Sequence, residues 1–339
     1  MPLLVVLALG ACGDEDAAPV PVGDGAAGSR DADGRAGAAG RPYAPVPEGA
    51  RGLPVDPSKG YLVTPFGEGL YGVTNGIDQA AFLATDAGVV VLDAPPSLAD
   101  GLGKAIREVT AAPVTHVVYS HYHADHIGGA ARVAPPGAAV IAHEATARAL
   151  AREADPNRPA PTLTFADAYA LEVGGRRLEL AYRGPNHVDG NLFIYAPASR
   201  ALMAVDLVWP GWVPFFELGQ AEDVPGYRAS FDLILQYDFD VFVGGHVGRY
   251  GTRADVEQTK AYVDDLFRHA AEAIGAVGID EAAAQVGYEN PFVLVDRWFS
   301  LMKGRCAGAV QGAWVGRLGA ADVWADSHCL AALQSLRID

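Results

Sequence analysis

The chain alternates short apolar runs with segments in which apolar residues recur at helical spacing. Residues 80–85 and 88–93 are apolar runs on either side of a two-residue turn, which predicts a β-hairpin. Residues 97–110 repeat an apolar residue every three or four positions, which predicts an amphipathic helix, and the apolar run 114–119 predicts a buried strand. The same patterns predict helices at 127–133, 144–153, 225–236 and 253–274, a strand at 138–142, strand pairs near 168–182 and 192–206, and a strand at 241–243. Hairpins followed by alternating strands and helices favour a layered α/β domain.

The first twelve residues have the pattern of a secretory signal. Leu3 to Leu9 are apolar, and the small residues Gly10 and Ala11 precede Cys12. This arrangement resembles the lipobox of bacterial lipoproteins and implies that Cys12 is lipidated, although no Lys or Arg precedes the apolar run. The alternative is an ordinary cleaved signal peptide. Both interpretations predict an exported protein, in the periplasm or the cell envelope.

The remaining chain divides by composition. Residues 13–42 are mostly Gly, Ala, Asp and Pro with few large apolar side chains, which predicts a flexible linker. We expect residues 43–275 to form the layered domain. The last part, residues 276–339, is predicted to be a mostly helical C-terminal extension.

The charge of the chain restricts its partners. The 339 residues include 41 acidic and 25 basic ones, so the net charge is -16. Nucleic acids and anionic membrane surfaces are bound through basic patches, which argues against both as main partners. No apolar run reaches the roughly 18 residues of a membrane-spanning helix. We therefore expect a small-molecule substrate and membrane contact only through a lipid anchor; the oligomeric state stays open.

Metal-binding residue types cluster directly after the strand at 114–119. His121 and His123 alternate along an extended segment, so both side chains can face one ion. Asp125 and His126 follow as the chain turns into a helix, and they can serve a second ion. Imidazole and carboxylate ligands favour zinc, with iron and manganese as alternatives. The competing interpretation is a polar surface loop in which the histidines are adjacent by chance.

The motif His121-x-His123-x-Asp125-His126 after an apolar strand resembles the signature of the metallo-β-lactamase superfamily. Further ligands follow in the order that this family expects, at His187, Asp206 and His246, and Asp93 corresponds to its early structural aspartate. The resemblance covers about residues 60–260. It implies an αββα sandwich with one or two metal ions at the strand ends, here followed by a helical C-terminal extension.

The resemblance also implies a role for each ligand. His121, His123 and His187 would hold one zinc ion, Asp125, His126 and His246 would hold a second, and Asp206 would bridge the two. A water shared by two ions can lose a proton near neutral pH and attack a carbonyl or phosphoryl centre, with Asp125 orienting it or moving its proton. His116, His143, His269 and His328 fit no ligand position, so we expect them at the surface or in packing.

The implied function is zinc-dependent hydrolysis of an ester, lactone, thioester or amide bond in a small molecule, β-lactams included. Asp206 is similar to the glyoxalase II, lactonase and general hydrolase branches, because well-known true β-lactamases carry Cys or a small hydroxyl residue there. The alternative is a non-hydrolytic member, either an iron-dependent redox protein or a metal-stabilised binding protein.

Two further features of the sequence carry expectations. Four aromatic residues after Asp206 could line a substrate pocket or could pack their loop onto the next helix: Trp209, Trp212, Phe215 and Phe216. Cys306 and Cys329 are the cysteines that remain after Cys12, and in an exported protein they favour a disulfide over two buried thiols.

Overall fold

Runs rich in Val, Leu and aromatic residues form two sheets in residues 43–339, the part of the chain that the computed structural model describes. The predicted signal peptide 1–12, the predicted lipidation of Cys12 and the predicted linker 13–42 lie outside these residues. The strands are β1 (Leu62–Gly67), β2 (Leu70–Thr74), β3 (Gln79–Thr85), β4 (Gly88–Leu92), β5 (Val114–Val118), β6 (Ala139–His143), β7 (Leu163–Phe165), β8 (Ala168–Val173), β9 (Arg176–Tyr182), β10 (Leu192–Ala196), β11 (Ala201–Met203) and β12 (Val241–Val243).

The strands pair into a seven-stranded and a five-stranded sheet. The first has the order β1-β2-β3-β4-β5-β6-β7, antiparallel as far as β4 and parallel from β4 to β7. The second has the order β12-β11-β10-β9-β8, and only the pair β11–β12 is parallel within it.

Helices cover the outer faces of both sheets. They are α1 (Ala99–Val109), α2 (Ala124–Ile127), α3 (Ala130–Val133), α4 (Glu144–Arg152), α5 (Phe216–Gln220), α6 (Val224–Ile234), α7 (Arg253–Ala276), α8 (Ile279–Val286), α9 (Pro291–Trp314) and α10 (Ala321–Ile338). None of the helices in residues 43–339 is both long and apolar enough to cross a bilayer.

Strand β4 shows why the layers stack as they do. All five of its residues are buried, and successive side chains point to opposite faces. Val89 and Val91 pack with the helical layer that contains α1, whereas Val90 and Leu92 pack between the two sheets. Phe193 of β10 likewise faces the outer helices on the other side. This alternation produces the predicted αββα sandwich, and the predicted helical C-terminal extension is also confirmed.

Some elements differ from the sequence predictions. The helix predicted at 127–133 is two short helices, because the chain bends at Gly129, where a Cβ atom would lie 2.8 Å from the carbonyl oxygen of Ala94. Strands β1, β2 and β7 were not predicted. Strand β1 is a partly exposed edge strand that contains Pro65, and Gly72 interrupts the apolar run of β2. Strand β7 has only three residues.

The C-terminal helices share a core with the second sheet. Met302 and Val310 of α9 and Leu333 of α10 are buried in the cluster that also contains Phe193. The Cys306 and Cys329 sulfurs lie 2.01 Å apart and join α9 to α10. The helices of the extension thus share the core of the sandwich, although they follow the predicted layered domain in the sequence.

His328 of α10 is one of the four histidines expected in packing or at the surface, and it is fully buried. Its Nε2 lies 2.9 Å from the carbonyl oxygen of Phe215, and its Nδ1 lies 2.7 Å from the hydroxyl of Tyr262. A carbonyl can only accept, so Nε2 carries the proton and Nδ1 accepts from the tyrosine. Burial lowers the pKa of His328 to about 4, which keeps the ring neutral at physiological pH.

The neutral state of His328 predicts a pH dependence of stability. Its pKa is near 6.5 in the unfolded chain and about 4 in the folded protein, so only the unfolded chain gains a proton between these values. The free energy of unfolding should fall as the pH drops through this window, by up to about 3 kcal/mol from this group. Urea titrations between pH 7 and 4 should show a shallower fall for His328→Gln than for wild type. Equal slopes would contradict the assignment, since other titrating groups are common to both proteins.

Candidate metal centre

Four loops bring their polar residues to one edge of the sandwich. Strands β11 and β12 are parallel, so Asp206 and His246, each three residues past a strand end, emerge at the same edge. Strand β10 runs antiparallel to β11, so β10 begins at this edge. The loop before β10, which carries His187, therefore lies at the edge too. The loop after β5, residues 119–126, is the histidine loop. A hydrogen bond of 2.9 Å from the Leu192 amide to the Ser120 carbonyl joins this loop to the start of β10.

Asparagines brace the loops that carry His187 and Asp206. The side-chain amide of Asn191 donates to the Val205 carbonyl at 2.9 Å and to Asn186 Oδ1 at 3.0 Å. The same Asn186 oxygen accepts from the backbone amide of His187 at 2.7 Å. The spacing of two ligands therefore depends on buried amides that no sequence motif had singled out.

The first group of candidate ligands is His121, His123, His187 and Asp206, whose ligand atoms lie within 4.8 Å of one another. His187 Nε2 is 3.1 Å from His123 Nδ1 and 3.2 Å from Asp206 Oδ2. His121 Nε2 is 3.6 Å from the same carboxylate oxygen. Three imidazole nitrogens thus converge beside one carboxylate.

The second group is Asp125, His126 and His246, which also meet within 4.8 Å. His246 Nε2 lies 3.4 Å from Asp125 Oδ2 and 3.4 Å from Asp206 Oδ1. His126 Nε2 lies 3.0 Å from Asp206 Oδ2. The Asp206 carboxylate therefore lies between the two groups, the position that the family resemblance implies for a bridging ligand.

The donor set fits divalent metal ions. Among the described residues, His121 Nε2, His126 Nε2 and Asp206 Oδ1 are buried side-chain atoms without a hydrogen-bond partner. Buried polar atoms normally have partners, and a cation at this point would provide one. Imidazole nitrogen and carboxylate oxygen are also the ligands that zinc and similar ions take from proteins.

The electrostatics of the first ligand group favour the ligand states that a metal requires. Burial lowers the pKa of His121 well below its usual range, so this ring is neutral. Burial opposes ionisation of Asp206, but the facing imidazoles of His126 and His187 hold its pKa well below the usual value. A neutral imidazole and an ionised carboxylate are the metal-binding forms.

His246 behaves differently from His121. Burial opposes its charge, but hydrogen bonds to Asp125 and Asp78 raise its pKa to about 10. Metal binding at this ring would therefore release a proton, so affinity at the second group should increase with pH.

Outer residues orient the ligand rings. Asp78 Oδ1 lies 3.2 Å from His246 Nδ1, which leaves Nε2 directed at Asp206 and Asp125. Ser120 Oγ lies 3.0 Å from His121 Nδ1 in the same way. Asp78 was not predicted as a site residue, because only the bridge between Asp78 and His246 brings it here.

Backbone conformation at the site is unusual at two aspartates. Asp93 and Asp206 have φ values of 58° and 61°, a left-handed region that Asp tolerates better than most residues. Asp93 is buried, and its Oδ1 accepts from the Ser120 amide at 2.7 Å. It fixes the start of the histidine loop and belongs to neither ligand group, as expected for a structural aspartate.

A cavity of about 660 Å³ opens beside the ligands. Trp209, Trp212 and Phe215 line it, together with Trp324 of α10, which the sequence analysis did not identify. Phe216 does not line it: its ring packs edge-on against Trp324, with 5.7 Å between ring centroids. Phe216 thus shows the packing that the sequence analysis gave as the alternative for these aromatic residues.

One known protein is similar to the chain in sequence. The chain is 30% identical over 185 residues to the α subunit of 2,4-dinitroanisole O-demethylase from Nocardioides sp. strain JS1661. That match covers 53% of this chain and 56% of the relative, so the chain spans little more than half of that protein's length.

Solved structures show the same fold. A metallo-β-lactamase from Pontibacter korlensis superposes with a TM-score of 0.52 at 24% identity, over 59% of this chain and 97% of its own. The metallo-β-lactamase IND-7 gives a TM-score of 0.50 at 20% identity, over 59% of this chain and 95% of its own.

The sequence model of the metallo-β-lactamase superfamily matches residues 74–246, about half of the chain. The matched segment begins at the last residue of β2 and ends at His246. Because it contains every residue of both ligand groups, the chain belongs to the metallo-β-lactamase superfamily.

Proposed function

We propose that the protein is a zinc-dependent hydrolase with two ions per chain, which cleaves an ester, lactone, thioester or amide bond in a small apolar molecule. The position of Asp206 between the two ligand groups carries this proposal, because a shared carboxylate suits a pair of ions. When bound, such a pair supplies Lewis acidity and lowers the pKa of a water molecule.

Asp125 is the residue that we assign to proton handling. Its side chain is 58% exposed, whereas that of Asp206 is 5% exposed, and it also lines the cavity. Hydrogen bonding to His246 lowers its pKa against the opposing effect of burial, so it is ionised at neutral pH. A carboxylate in this position can orient the attacking nucleophile and accept its proton.

The cavity supports a substrate with an apolar part. Its wall carries indole and phenyl rings beside the ligand groups, and apolar walls with a few polar groups are typical of small-molecule sites. β-Lactams remain among the candidate substrates, since a β-lactam is an amide.

A second candidate reaction is suggested by one relative. The protein from Nocardioides is named as a demethylase of 2,4-dinitroanisole, an aromatic methyl ether. The aromatic cavity suits such a substrate, so we include cleavage of aryl ethers as the alternative within the same site.

We also propose that the protein is exported and held at a membrane through a lipid on Cys12. The apolar run 3–9 and the small residues before Cys12 support this proposal. The bond between Cys306 and Cys329 is consistent with an oxidising compartment.

The metal content tests the proposed cofactor. Purified protein should contain close to two zinc ions per chain by elemental analysis, because seven ligands exceed what one tetrahedral ion needs. Asp206→Ala should lose one ion at a lower chelator concentration than the other. One ion in a fully loaded sample would contradict the two-ion site, and iron with visible absorbance would favour the redox alternative.

Activity tests the role of Asp125. Zinc-loaded protein should hydrolyse at least one member of a panel of 4-nitrophenyl esters, lactones, thioesters, a chromogenic cephalosporin, a phosphoester and 2,4-dinitroanisole. Asp125→Ala should lower kcat by about 10²–10⁴-fold, since it removes a ligand and the proton acceptor. Asp86→Ala, at an exposed hairpin turn, is the matched control and should keep full activity. A zinc-loaded protein that leaves the whole panel intact would refute the hydrolase.

Fractionation tests the anchor. The full chain expressed in a bacterial host should be found with the membranes, and Cys12→Ala should release it or block its maturation. A wild-type protein found wholly in the soluble periplasmic fraction would overturn the lipid anchor while leaving export possible.

A further inference from the structure

Part of the cavity wall comes from outside the segment that matches the family. Ala320 and Trp324 line the cavity, and both lie far beyond residue 246. Trp324 is half-buried on the first turn of α10 and packs edge-on against Phe215, with 5.3 Å between ring centroids. The C-terminal extension is therefore a part of the candidate site as well as of the core.

Residues 209–217, which carry the four aromatic side chains after Asp206, form the aromatic loop. Hydrogen bonds fix this loop to α10 and to the residues just before it. They run from the Gly319 amide to the Gly211 carbonyl (2.9 Å), from the Val213 amide to the Gly319 carbonyl (3.0 Å), from the Glu217 amide to Ser327 Oγ (3.2 Å) and from His328 Nε2 to the Phe215 carbonyl (2.9 Å). The loop is thus held at four points, two at Gly319 just before α10 and two on α10 itself.

Glycines let the tryptophans approach the backbone. A Cβ atom on Gly319 would lie 2.4 Å from Trp212 Cε3, so only glycine fits beneath this ring. Gly219 has a φ of 71° and lies under Trp209, where a Cβ would come within 2.3 Å of the indole. Both indoles are therefore held in place by close backbone contacts, and little rearrangement is needed for a ligand to meet them.

The charges on the cavity wall restrict which chemical groups a ligand can carry there. Within residues 43–339, no Lys or Arg side chain lines this cavity, and the charged groups on it belong to the ligand cluster. A carboxylate or phosphate on the distal part of a substrate would find no cationic partner there. An uncharged aromatic ring would gain edge-to-face contacts with Trp324 and Phe215.

We propose that Trp324 and Phe215 form a recognition subsite for an uncharged aromatic ring of the substrate, with His328 as the positioning residue that holds Phe215. This inference rests on the proposed function, because it treats the bound molecule as a substrate. Binding of an aromatic ring can nevertheless be measured without any reaction. His328 acts through the Phe215 carbonyl and touches neither the ligand cluster nor the cavity.

Binding of 2-naphthalenemethanol to the zinc-loaded protein, followed by calorimetry, tests the subsite directly. Trp324→Ala should weaken binding by about tenfold, and Trp324→Phe should restore most of it, because a ring is kept. Trp298→Ala, on α9, is the matched control: its indole donates to the Val277 carbonyl just after α7 and lies away from the cavity. Unchanged affinity in a folded, zinc-loaded Trp324→Ala protein, or no binding by wild type, would overturn the proposal.

Hydrolysis of paired esters separates recognition from chemistry. Trp324→Ala should raise KM for 2-naphthyl acetate about tenfold, a larger effect than on kcat/KM for ethyl acetate, which has no aromatic ring to bind. His328→Ala should raise the KM for 2-naphthyl acetate as well. His328→Gln should restore it, because the glutamine amide can donate to the Phe215 carbonyl. If His328 has a merely structural role, its loss will lower the activity towards both esters together. If naphthalenemethanol binding depends on Trp324 but no ester, lactone, thioester or amide is cleaved, the subsite stands and the proposed hydrolase fails.

Discussion

The site depends on one buried negative charge. The Asp206 carboxylate is almost inaccessible to water, and an ionised carboxylate in such a place is costly unless cations or donors surround it. Its surroundings are four imidazoles that arrive from three different loops. The two sheets must therefore be aligned at one edge before these imidazoles can compensate the charge. The hydrogen bond between Leu192 and Ser120 connects the start of β10 in the second sheet to the loop after β5 in the first.

Local backbone requirements follow from the same constraint. Asp206 adopts a left-handed conformation while its amide donates to the Gly244 carbonyl at 3.1 Å, which links the ends of β11 and β12. Gly245 has a φ of 92°, and a Cβ atom there would lie 3.0 Å from His126 Cε1. Gly245 is thus explained by its left-handed backbone and by the room that a neighbouring ligand needs, as expected when glycine permits a close approach.

The sequence predicted best what is encoded locally. Buried strands such as β4 and the long helix α7 follow from apolar periodicity, and the histidine loop follows from four ligands within six residues. His187 and His246 were reached through the family resemblance, because isolated residues so far apart carry no signal of their own. Asp78 and Trp324 were missed. An isolated backbone bridge to His246 brings Asp78 to the site, and a helix near the other end of the sequence brings Trp324. The edge strand β1 was missed for a related reason: partial exposure removes the apolar pattern.

The C-terminal helices connect the stability of the fold to the shape of the cavity. A helix that only lines a cavity could detach at low cost, because local opening is easiest where few buried groups are lost. Helix α10 is instead held by Leu333 and its neighbours in the core, and by a disulfide to α9 that closes a separation of 23 residues. Closing a loop of that length disfavours the open chain by about 3 kcal/mol. The wall that carries Trp324 is therefore maintained by the same core that supports β10 and the loop of His187, so the aromatic and metal-binding halves of the cavity keep a fixed separation.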